Sequence, residues 1–291
     1  IHNEKIITSS GIVLIIIIIY NILFFEDVAL KHSLISLLLI TIAGFIDDIK
    51  KLKPINKLLL LLLPTIYFIY FIGDIETLGD YSSFSLNLGT FSLIFTIICI
   101  LLLINSFNYI DGLDGLLGTI SIISLFFFLI ILPDYYYYFI IPFILFLIYF
   151  LIFNLNFFKK LPKLFLGDSG SLSIGFLFCV ISIYFTQNKN LIHESVIIWP
   201  FAFVVYEFTS INIIRIVKRK SIFERDLNFI FNKLYDKIGL IKTLLFCNLI
   251  NIFFCLIGLV VHYKEYYIVS LLVFIILFFI YFLFRLHLNK K

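Results

Sequence analysis

The hydrophobic positions of the chain form long uninterrupted runs that are separated by short polar connections. A helix of about 20 apolar residues crosses a bilayer, and a shorter one can cross when its flanking residues reach the interface. The pattern therefore predicts an all-α fold, a polytopic transmembrane helical bundle with about ten spans. The predicted spans cover residues 11–25, 33–46, 58–72, 91–107, 116–132, 139–153, 171–186, 195–214, 243–261 and 267–284.

Two of the predicted connections have patterns of their own. The segment Asp74–Thr90 alternates apolar residues with Gly, Ser, Thr and Asn, which indicates a small extracytoplasmic β-hairpin. The segment Arg215–Lys242 mixes basic and acidic residues with Phe223, Phe229 and Phe231. Amphipathic segments of this kind lie in the interface between water and lipid, so we expect this one to follow the inner membrane surface.

The composition excludes a water-soluble protein. Hydrophobic residues make up 62% of the 291 residues, charged residues make up 14%, and the mean hydropathy is +1.13. A soluble domain of this length could not keep so much apolar surface away from water. We expect residues 1–291 to form a single integral membrane domain. Its four cysteines lie inside apolar runs, as is typical of buried small hydrophobic residues.

Positive charge is divided unevenly between the two sets of alternating connections. Of the 22 Lys and Arg residues, only Lys31, Lys189 and Lys264 lie in one set, and the others lie in the opposite set. Cytoplasmic loops of membrane proteins carry the excess of Lys and Arg, so the basic set is predicted to face the cytoplasm. Three clusters of acidic residues lie on this same side.

The first cluster, in the segment Asn105–Leu116, is the most unusual stretch of the sequence. Asn105, Asn108 and Asp111 recur every three residues and Asp114 continues the step, so a helix would gather them on one face. Carboxylates between two spans are costly, about 2.5–3.5 kcal/mol each at the bilayer centre, and favour a polar cavity. The alternative is a plain helix–loop–helix corner with solvated caps.

Each of the two other clusters, taken alone, is weaker evidence for a functional site. Asp47 and Asp48 precede Lys51 at the end of a span, which is also the pattern of a charged stop at a helix end. Asp168, in the segment Phe165–Leu172, precedes an apolar run and could simply be a helix N-cap. Together the clusters offer oxygen ligands for Mg²⁺, a candidate base, and lysines for phosphate charge. This set suits phosphoryl transfer between a lipid-borne and a soluble reactant.

The three motifs, in this order, resemble those of the polyprenyl-phosphate N-acetylhexosamine-1-phosphate transferases, glycosyltransferase family 4. Members of that family include the undecaprenyl-phosphate GlcNAc-1-phosphate transferase and, more distantly, the phospho-MurNAc-pentapeptide translocase. The resemblance covers nearly the whole chain and is most specific in the middle motif. The motifs are Asp47-Asp48-x-x-Lys51, Asn105-x-x-Asn108-x-x-Asp111-Gly-x-Asp114-Gly-Leu and Gly167-Asp168-x-Gly-Ser-Leu.

The resemblance implies an enzyme that transfers a sugar-1-phosphate of the N-acetylhexosamine type from a UDP-sugar to polyprenyl (undecaprenyl) phosphate and releases UMP. Such a reaction begins a lipid-linked glycan, for example for the cell wall or lipopolysaccharide. The implied location is the bacterial inner (plasma) membrane, with the active site facing the cytoplasm. The implied partners are the polyprenyl phosphate, the UDP-sugar and the membrane; a homodimer is compatible with the resemblance, and no nucleic acid is expected.

The same resemblance implies roles for the acidic residues of the three motifs, for two asparagines and for two lysines. Asp168 would be the main ligand of Mg²⁺, for which Mn²⁺ could substitute, and Asn108 would lie near the metal. The candidate catalytic residues are Asp47, as the base that activates the lipid phosphate, Asp48 beside it, and Asp111 and Asp114 in the nucleotide and metal pocket. The candidate substrate-binding residues are Lys51 and Lys57 for the phosphates, together with Asn105 and Asn108. Direct attack and a phospho-enzyme intermediate both remain open, and we favour direct attack.

One departure from the family pattern concerns the last long inner loop. Bacterial members carry a His-x-His-His motif there, and this chain reads Phe229-Ile230-Phe231-Asn232. An imidazole can donate a hydrogen bond to a phosphate or sugar oxygen, whereas a phenyl ring cannot. Arg215, Arg219 and Arg225 are therefore candidates for the lost phosphate contacts. A catalytically degenerate relative is an alternative interpretation, and an ion-coupled membrane transporter is a second one.

The beginning of the chain adds one further expectation. The sequence opens at Ile1 and contains no Met. His2 and the residues Ser9-Ser10-Gly11 resemble the end of the loop that follows the first helix of the family. We expect one helix to precede Ile1, which would bring the total to eleven.

Overall fold

The computed structural model describes residues 10–156, 162–221 and 228–290, and the predicted substrate residue Arg225 lies outside these ranges. Helices account for most of the described chain. The helices are α1 Ser10–Phe24, α2 Val28–Lys50, α3 Pro54–Ile72, α4 Ser92–Ile110, α5 Leu116–Ile131, α6 Tyr137–Asn154, α7 Gly167–Ile183, α8 Glu194–Ile197, α9 Ala202–Val217, α10 Ile230–Ile238, α11 Leu240–Lys264 and α12 Tyr267–Lys290.

The predicted polytopic helical bundle is confirmed. Within the described residues, eight helical stretches are long and apolar enough to cross a membrane, and two shorter apolar helices, α1 and α5, complete a set of ten. Each of the ten coincides with a predicted span. In lipid, a single apolar segment can satisfy all of its backbone N–H and C=O groups only by forming a helix. The boundaries differ by a few residues; α2, for example, begins earlier than predicted because Asp27 caps it.

Helix α7 lies at the centre of the bundle and is almost completely enclosed by other helices. Helix α2 approaches it so closely that a Cβ on Gly44 would lie 2.4 Å from the Cα of Ser169. A Cβ on Gly175 would likewise lie 2.7 Å from the Cα of Ile104 in α4. Small residues allow such close approach between membrane helices, and here they bring the polar ends of α2 and α4 against the beginning of α7.

The predicted β-hairpin is also present. Strands β1 Thr77–Tyr81 and β2 Phe84–Asn87 pair in the antiparallel sense. Gln187, in the π-helical turn that follows α7, accepts hydrogen bonds from the backbone N–H groups of Glu76 and Thr77 at 3.1 and 3.4 Å. The hairpin therefore lies at the end of α7 opposite to Asp168.

The predicted span 195–214 is interrupted. It consists of the short helix α8, a 3₁₀ turn at Trp199–Phe201 and then α9. Pro200 lies in this turn and has no backbone N–H to continue an α-helical ladder. The predicted amphipathic segment of the inner loop contains α10, whose first residues Ile230 and Phe231 are buried while Tyr235, Asp236 and Lys237 are exposed.

Candidate active site

A polar cleft of about 490 Å³ lies where α2, α4 and α7 meet, at the end of the bundle opposite the hairpin. Its walls come from four separate parts of the sequence. The polar and aromatic residues that line it are Asp47, Asp48, Lys57, Asn105, Asn108, Tyr109, Asp111, Asp168, Ser171, Phe229 and Asn232. The structure thus brings together most of the residues that the sequence singled out.

Lys57 joins the two carboxylates on which the proposed chemistry depends. Its Nζ lies 3.0 Å from Oδ2 of Asp47 and 2.8 Å from Oδ1 of Asp168. Asp47 is buried, with 5% of its surface exposed, and its Oδ1 accepts a hydrogen bond from the backbone N–H of Leu52 at 2.8 Å. A buried carboxylate needs a paired charge and further hydrogen bonds, and Lys57 and Leu52 supply both.

Asn108 contacts the same oxygen of Asp168 as Lys57 does. Its Nδ2 donates hydrogen bonds to Oδ1 of Asp168 at 2.6 Å and to Oγ of Ser171 at 2.7 Å. Asn105 lies one helical turn earlier on α4 and also lines the cleft, where its Nδ2 donates to the carbonyl of Leu101 at 2.7 Å. The two asparagines therefore share a face of α4, as predicted.

Asp48 holds the beginning of α7. Its Oδ1 accepts a hydrogen bond from the backbone N–H of Asp168 at 2.7 Å, and its Oδ2 accepts one from Ser169 at 3.0 Å. The first N–H groups of a helix have no partner within the helix, and negative charge is stabilising there. Asp48, on α2, is thus an N-terminal cap for α7, and it fixes the backbone that carries Asp168.

The expectation that Asp111 and Asp114 continue the helical face of Asn108 is wrong. Helix α4 ends at Ile110, and the two aspartates lie in the glycine-containing turns that follow. Asp111 lines the cleft, whereas Asp114 turns away and pairs with Nζ of Lys163. Gly112 and Gly115 favour such turns over further helix, which separates the two carboxylates.

The carboxyl group of Asp111 experiences an excess of negative charge. Burial of this group, together with the nearby carboxylates of Asp168, Asp114 and Asp48, raises the pKa of Asp111 well above its usual range. Like charges disfavour the ionised form, and a bound cation would favour it. A cation bound beside Asp111 would therefore stabilise its ionised form.

Lys51 and Arg215 do not line the cleft. Lys51 is the left-handed C-cap of α2 and its side chain is exposed to solvent. Arg215 is buried behind the cleft wall, where its guanidinium Cζ lies 5.8 Å from the ring centroids of both Tyr109 and Phe229. A lysine at a helix end points to water, and a guanidinium stacks readily on aromatic faces, which accounts for both positions.

The segment that lacks the family histidines does reach the cleft. Phe229 and Asn232 line it, and Phe231 is fully buried behind Phe229, with ring centroids 5.2 Å apart and planes at 15°. Tyr109 extends this aromatic surface, with its ring centroid 5.2 Å from that of Phe229. One wall of the cleft is therefore aromatic, formed by Phe229 and Tyr109.

The donor set fits a hard divalent cation that shares its coordination with a phosphate. Asp47, Asp111, Asp168 and Asn108 offer carboxylate and amide oxygens, which Mg²⁺ and Mn²⁺ prefer. In the described part of the chain, no three His, Cys, Asp or Glu side chains converge closely enough to hold a metal by themselves. Mg²⁺ commonly uses one or two carboxylates and completes its shell with water and substrate phosphates.

Several contacts that shape the cleft were not predicted from the sequence. Asn154 is buried at the end of α6; its Oδ1 accepts from the backbone N–H of Gly115 at 2.6 Å, and its Nδ2 donates to the carbonyl of Leu164 at 2.9 Å. It thereby ties the Asp111 loop to the loop that leads to Asp168. An amide at the end of an apolar run is a weak signal for this role, since it is also an ordinary helix end.

The chain was also compared with known proteins. No match was found among curated proteins. The model of glycosyl transferase family 4 matches residues 30–186, more than half of the chain, and this region contains all three acidic motifs. The chain therefore belongs to glycosyl transferase family 4, the polyprenyl-phosphate sugar-1-phosphate transferases, and is a multi-pass membrane protein of that family.

Proposed function

We propose that this protein transfers an N-acetylhexosamine-type sugar-1-phosphate from a UDP-sugar to polyprenyl (undecaprenyl) phosphate and releases UMP. The reaction takes place at the cytoplasmic face of a bacterial inner membrane. Membership of the family supports the general reaction. The donor nucleotide, the sugar, the metal and the roles of individual residues are our proposals.

The observation that carries the proposal is the bridge from Asp47 through Lys57 to Asp168. A lysine between two carboxylates, with Asn108 donating to the same oxygen of Asp168 that the lysine contacts, supplies both a base and positive charge within one cleft. The cleft lies at the polar end of α2, α4 and α7, beside the predicted cytoplasmic loops. A lipid phosphate at the membrane surface and a soluble nucleotide can therefore meet there.

The reaction follows from direct attack. An oxygen of the polyprenyl phosphate forms a bond to the β-phosphorus of the UDP-sugar, and the bond from that phosphorus to the oxygen bridging it to the α-phosphate breaks. UMP leaves with the bridging oxygen. Asp47 accepts any remaining proton of the attacking phosphate, and Lys57 neutralises phosphate charge. Positioning and charge neutralisation make the main contribution to phosphoryl transfer, so no phospho-enzyme step is needed.

Asp168 and Asn108 would hold Mg²⁺, or Mn²⁺ in its place. Asn108 presents its Nδ2 to Asp168, and half a turn of its amide would present the oxygen instead. The cation, when bound, supplies positive charge to the phosphate oxygens. Asp48 keeps the first turn of α7 in place for this site, and Asp111 adds a carboxylate at the cleft wall.

The aromatic wall suggests which sugar the cleft accepts. Phe229 lines the cleft with Phe231 stacked behind it, so apolar surface takes the place of hydrogen-bond donors, and aromatic faces favour sugars that present C–H groups. A 6-deoxy N-acetylated sugar has a methyl group where GlcNAc has a hydroxymethyl group. We expect such a UDP-sugar to be used at least as well as UDP-GlcNAc. One small group in such a pocket changes binding by about 1–3 kcal/mol.

The test is an assay of washed membranes with polyprenyl phosphate and a panel of UDP-sugars, in which UMP release is measured. Replacing Phe229, Phe231 and Asn232 together by His should shift the preference towards UDP-GlcNAc. An unchanged preference would show that this wall does not determine the specificity for the sugar. If the natural protein releases no UMP while the triple-His variant does, the protein is a degenerate relative. Cation-coupled uptake without UMP release would support the transporter interpretation.

A further inference from the structure

A buried ion pair joins α9 to α12 next to the cleft. The Nε atom of Arg285 lies 2.9 Å from Oε2 of Glu207, and the two side chains are 0% and 1% exposed. Both residues lie outside residues 30–186, the region that defines the family match. Burying two charges costs free energy that their attraction only partly offsets, so apolar residues of similar size would often stabilise the fold as well. The pair therefore calls for an explanation other than stability.

Two further polar atoms of this pair, one from each residue, hold the main chain on both sides of Phe229. Oε1 of Glu207 accepts a hydrogen bond from the backbone N–H of Ile230 at 2.6 Å, and Nη2 of Arg285 donates one to the carbonyl of Asn228. The hydroxyl of Tyr281, on α12, donates to Oε2 of Glu207. Two helices thus fix the few residues that place Phe229 and Asn232 at the cleft.

Helix α10 explains why a carboxylate is needed here. Its N-cap is Phe229, whose side chain makes no capping hydrogen bond, since a phenyl ring has no acceptor. The first N–H groups of a helix need a partner, and Glu207 provides one from another helix. Asp48 caps α7 in the same manner. Two of the segments that form the cleft, the first turn of α7 and the first turn of α10, are therefore each anchored by a carboxylate from another helix.

We propose that Glu207 and Arg285 are positioning residues that fix the segment 228–232 as the wall of the cleft and thereby set the affinity for the sugar nucleotide. This inference rests on the proposed function. The pair touches no reacting group; it acts through the backbone at Asn228 and Ile230. Because the pair ties α12 to the cleft wall, the last helix of the chain contributes to substrate binding without lining the cleft.

The test compares the double variant Glu207→Leu/Arg285→Leu with the natural protein. Removing both charges leaves no buried charge unpaired, so the protein should still fold. We expect the KM for the UDP-sugar to rise about 10- to 100-fold, with the KM for polyprenyl phosphate unchanged. Tyr281→Phe removes one contact of Glu207 and should shift the same KM by a smaller factor. Lys189→Met, which breaks the remote pair of Lys189 with Asp27, is the matched control and should change neither KM.

Hydrogen–deuterium exchange gives a measurement that needs no activity. Amides of residues 228–238 should exchange roughly tenfold faster or more in the double variant, because a buried hydrogen bond to a charged group is lost. Unchanged exchange in this segment would overturn the proposal, as would equal losses for both substrates. If the natural protein uses no UDP-sugar at all, the proposed function fails, and the exchange result alone then decides whether the pair positions the wall.

Discussion

The substitution Asp48→Asn tests whether Asp48 caps helix α7 or takes part in the chemistry. The carboxylate of Asp48 accepts two backbone N–H groups, from Asp168 at 2.7 Å and from Ser169 at 3.0 Å. An Asn keeps one acceptor oxygen but turns an amide donor towards the other N–H group. The variant thus loses one hydrogen bond to a charged group and the favourable charge at the helix N-terminus. These losses amount to about 2–4 kcal/mol at the first turn of α7.

The expected consequence is a displaced Asp168, not a missing chemical group. We expect UMP release to fall about 10- to 100-fold, with the lost activity partly regained at high Mg²⁺ because the weakened site can still be filled. The assay measures UMP release over a range of Mg²⁺ concentrations, together with the thermal unfolding midpoint. Asp134→Asn, a change at an exposed position on the opposite side of the bundle, is the control. If Asp48→Asn is inactive at every Mg²⁺ concentration while its unfolding midpoint is unchanged, Asp48 acts in the chemistry and the capping argument is wrong.

Two further predictions concern Asp47 and Asp168. Asp47→Asn should lower the rate by about 10²–10⁴-fold while UDP-sugar binding, followed by calorimetry, is retained; a loss below tenfold would assign Asp47 a structural role. The low end of that range is expected, since a phosphate monoester, with a second pKa near 6, is already largely ionised at neutral pH. Activity should require Mg²⁺ or Mn²⁺ and be abolished by EDTA and by Asp168→Asn, which keeps the shape of the side chain and removes its charge; full turnover in EDTA would exclude the proposed metal.

The membrane fold could be predicted from the sequence because it depends on long, local patterns. An apolar run of sufficient length specifies a helix in lipid, and alternation in the segment Asp74–Thr90 indicated the hairpin. The interruption of the span 195–214 was missed. Its apolar character hides the turn at Trp199–Phe201, although Pro200 was a signal for it.

The meeting of Asp47, Asn108 and Asp168 could also be predicted, since their spans end on the same side of the membrane. The contacts within the cleft could not. The spacing of three residues suggested that Asp114 faces the cleft. This spacing places residues on one face only within a helix, and α4 ends at Ile110. Lys51 matches a motif but caps α2, so a motif alone does not show where a side chain points.

The contacts that anchor the cleft walls could not be predicted from the sequence for a different reason. Asp48 caps a helix that begins more than a hundred residues later, and Glu207 pairs with Arg285 across α9 and α12. No local pattern encodes such a partner, since it depends on how the helices pack. The sequence showed only that these charges are few and lie near apolar runs, which is compatible with many arrangements.

The central claim is that the sugar leaves its donor together with one phosphate. The most direct measurement uses a UDP-sugar labelled with ³²P in the β-phosphate, incubated with the purified protein, polyprenyl phosphate and Mg²⁺. We predict that the label enters the lipid product while unlabelled UMP is released, and that Asp168→Asn prevents the transfer. Label that remains in water-soluble UDP while the sugar enters the lipid would show transfer of the sugar alone and would contradict the account.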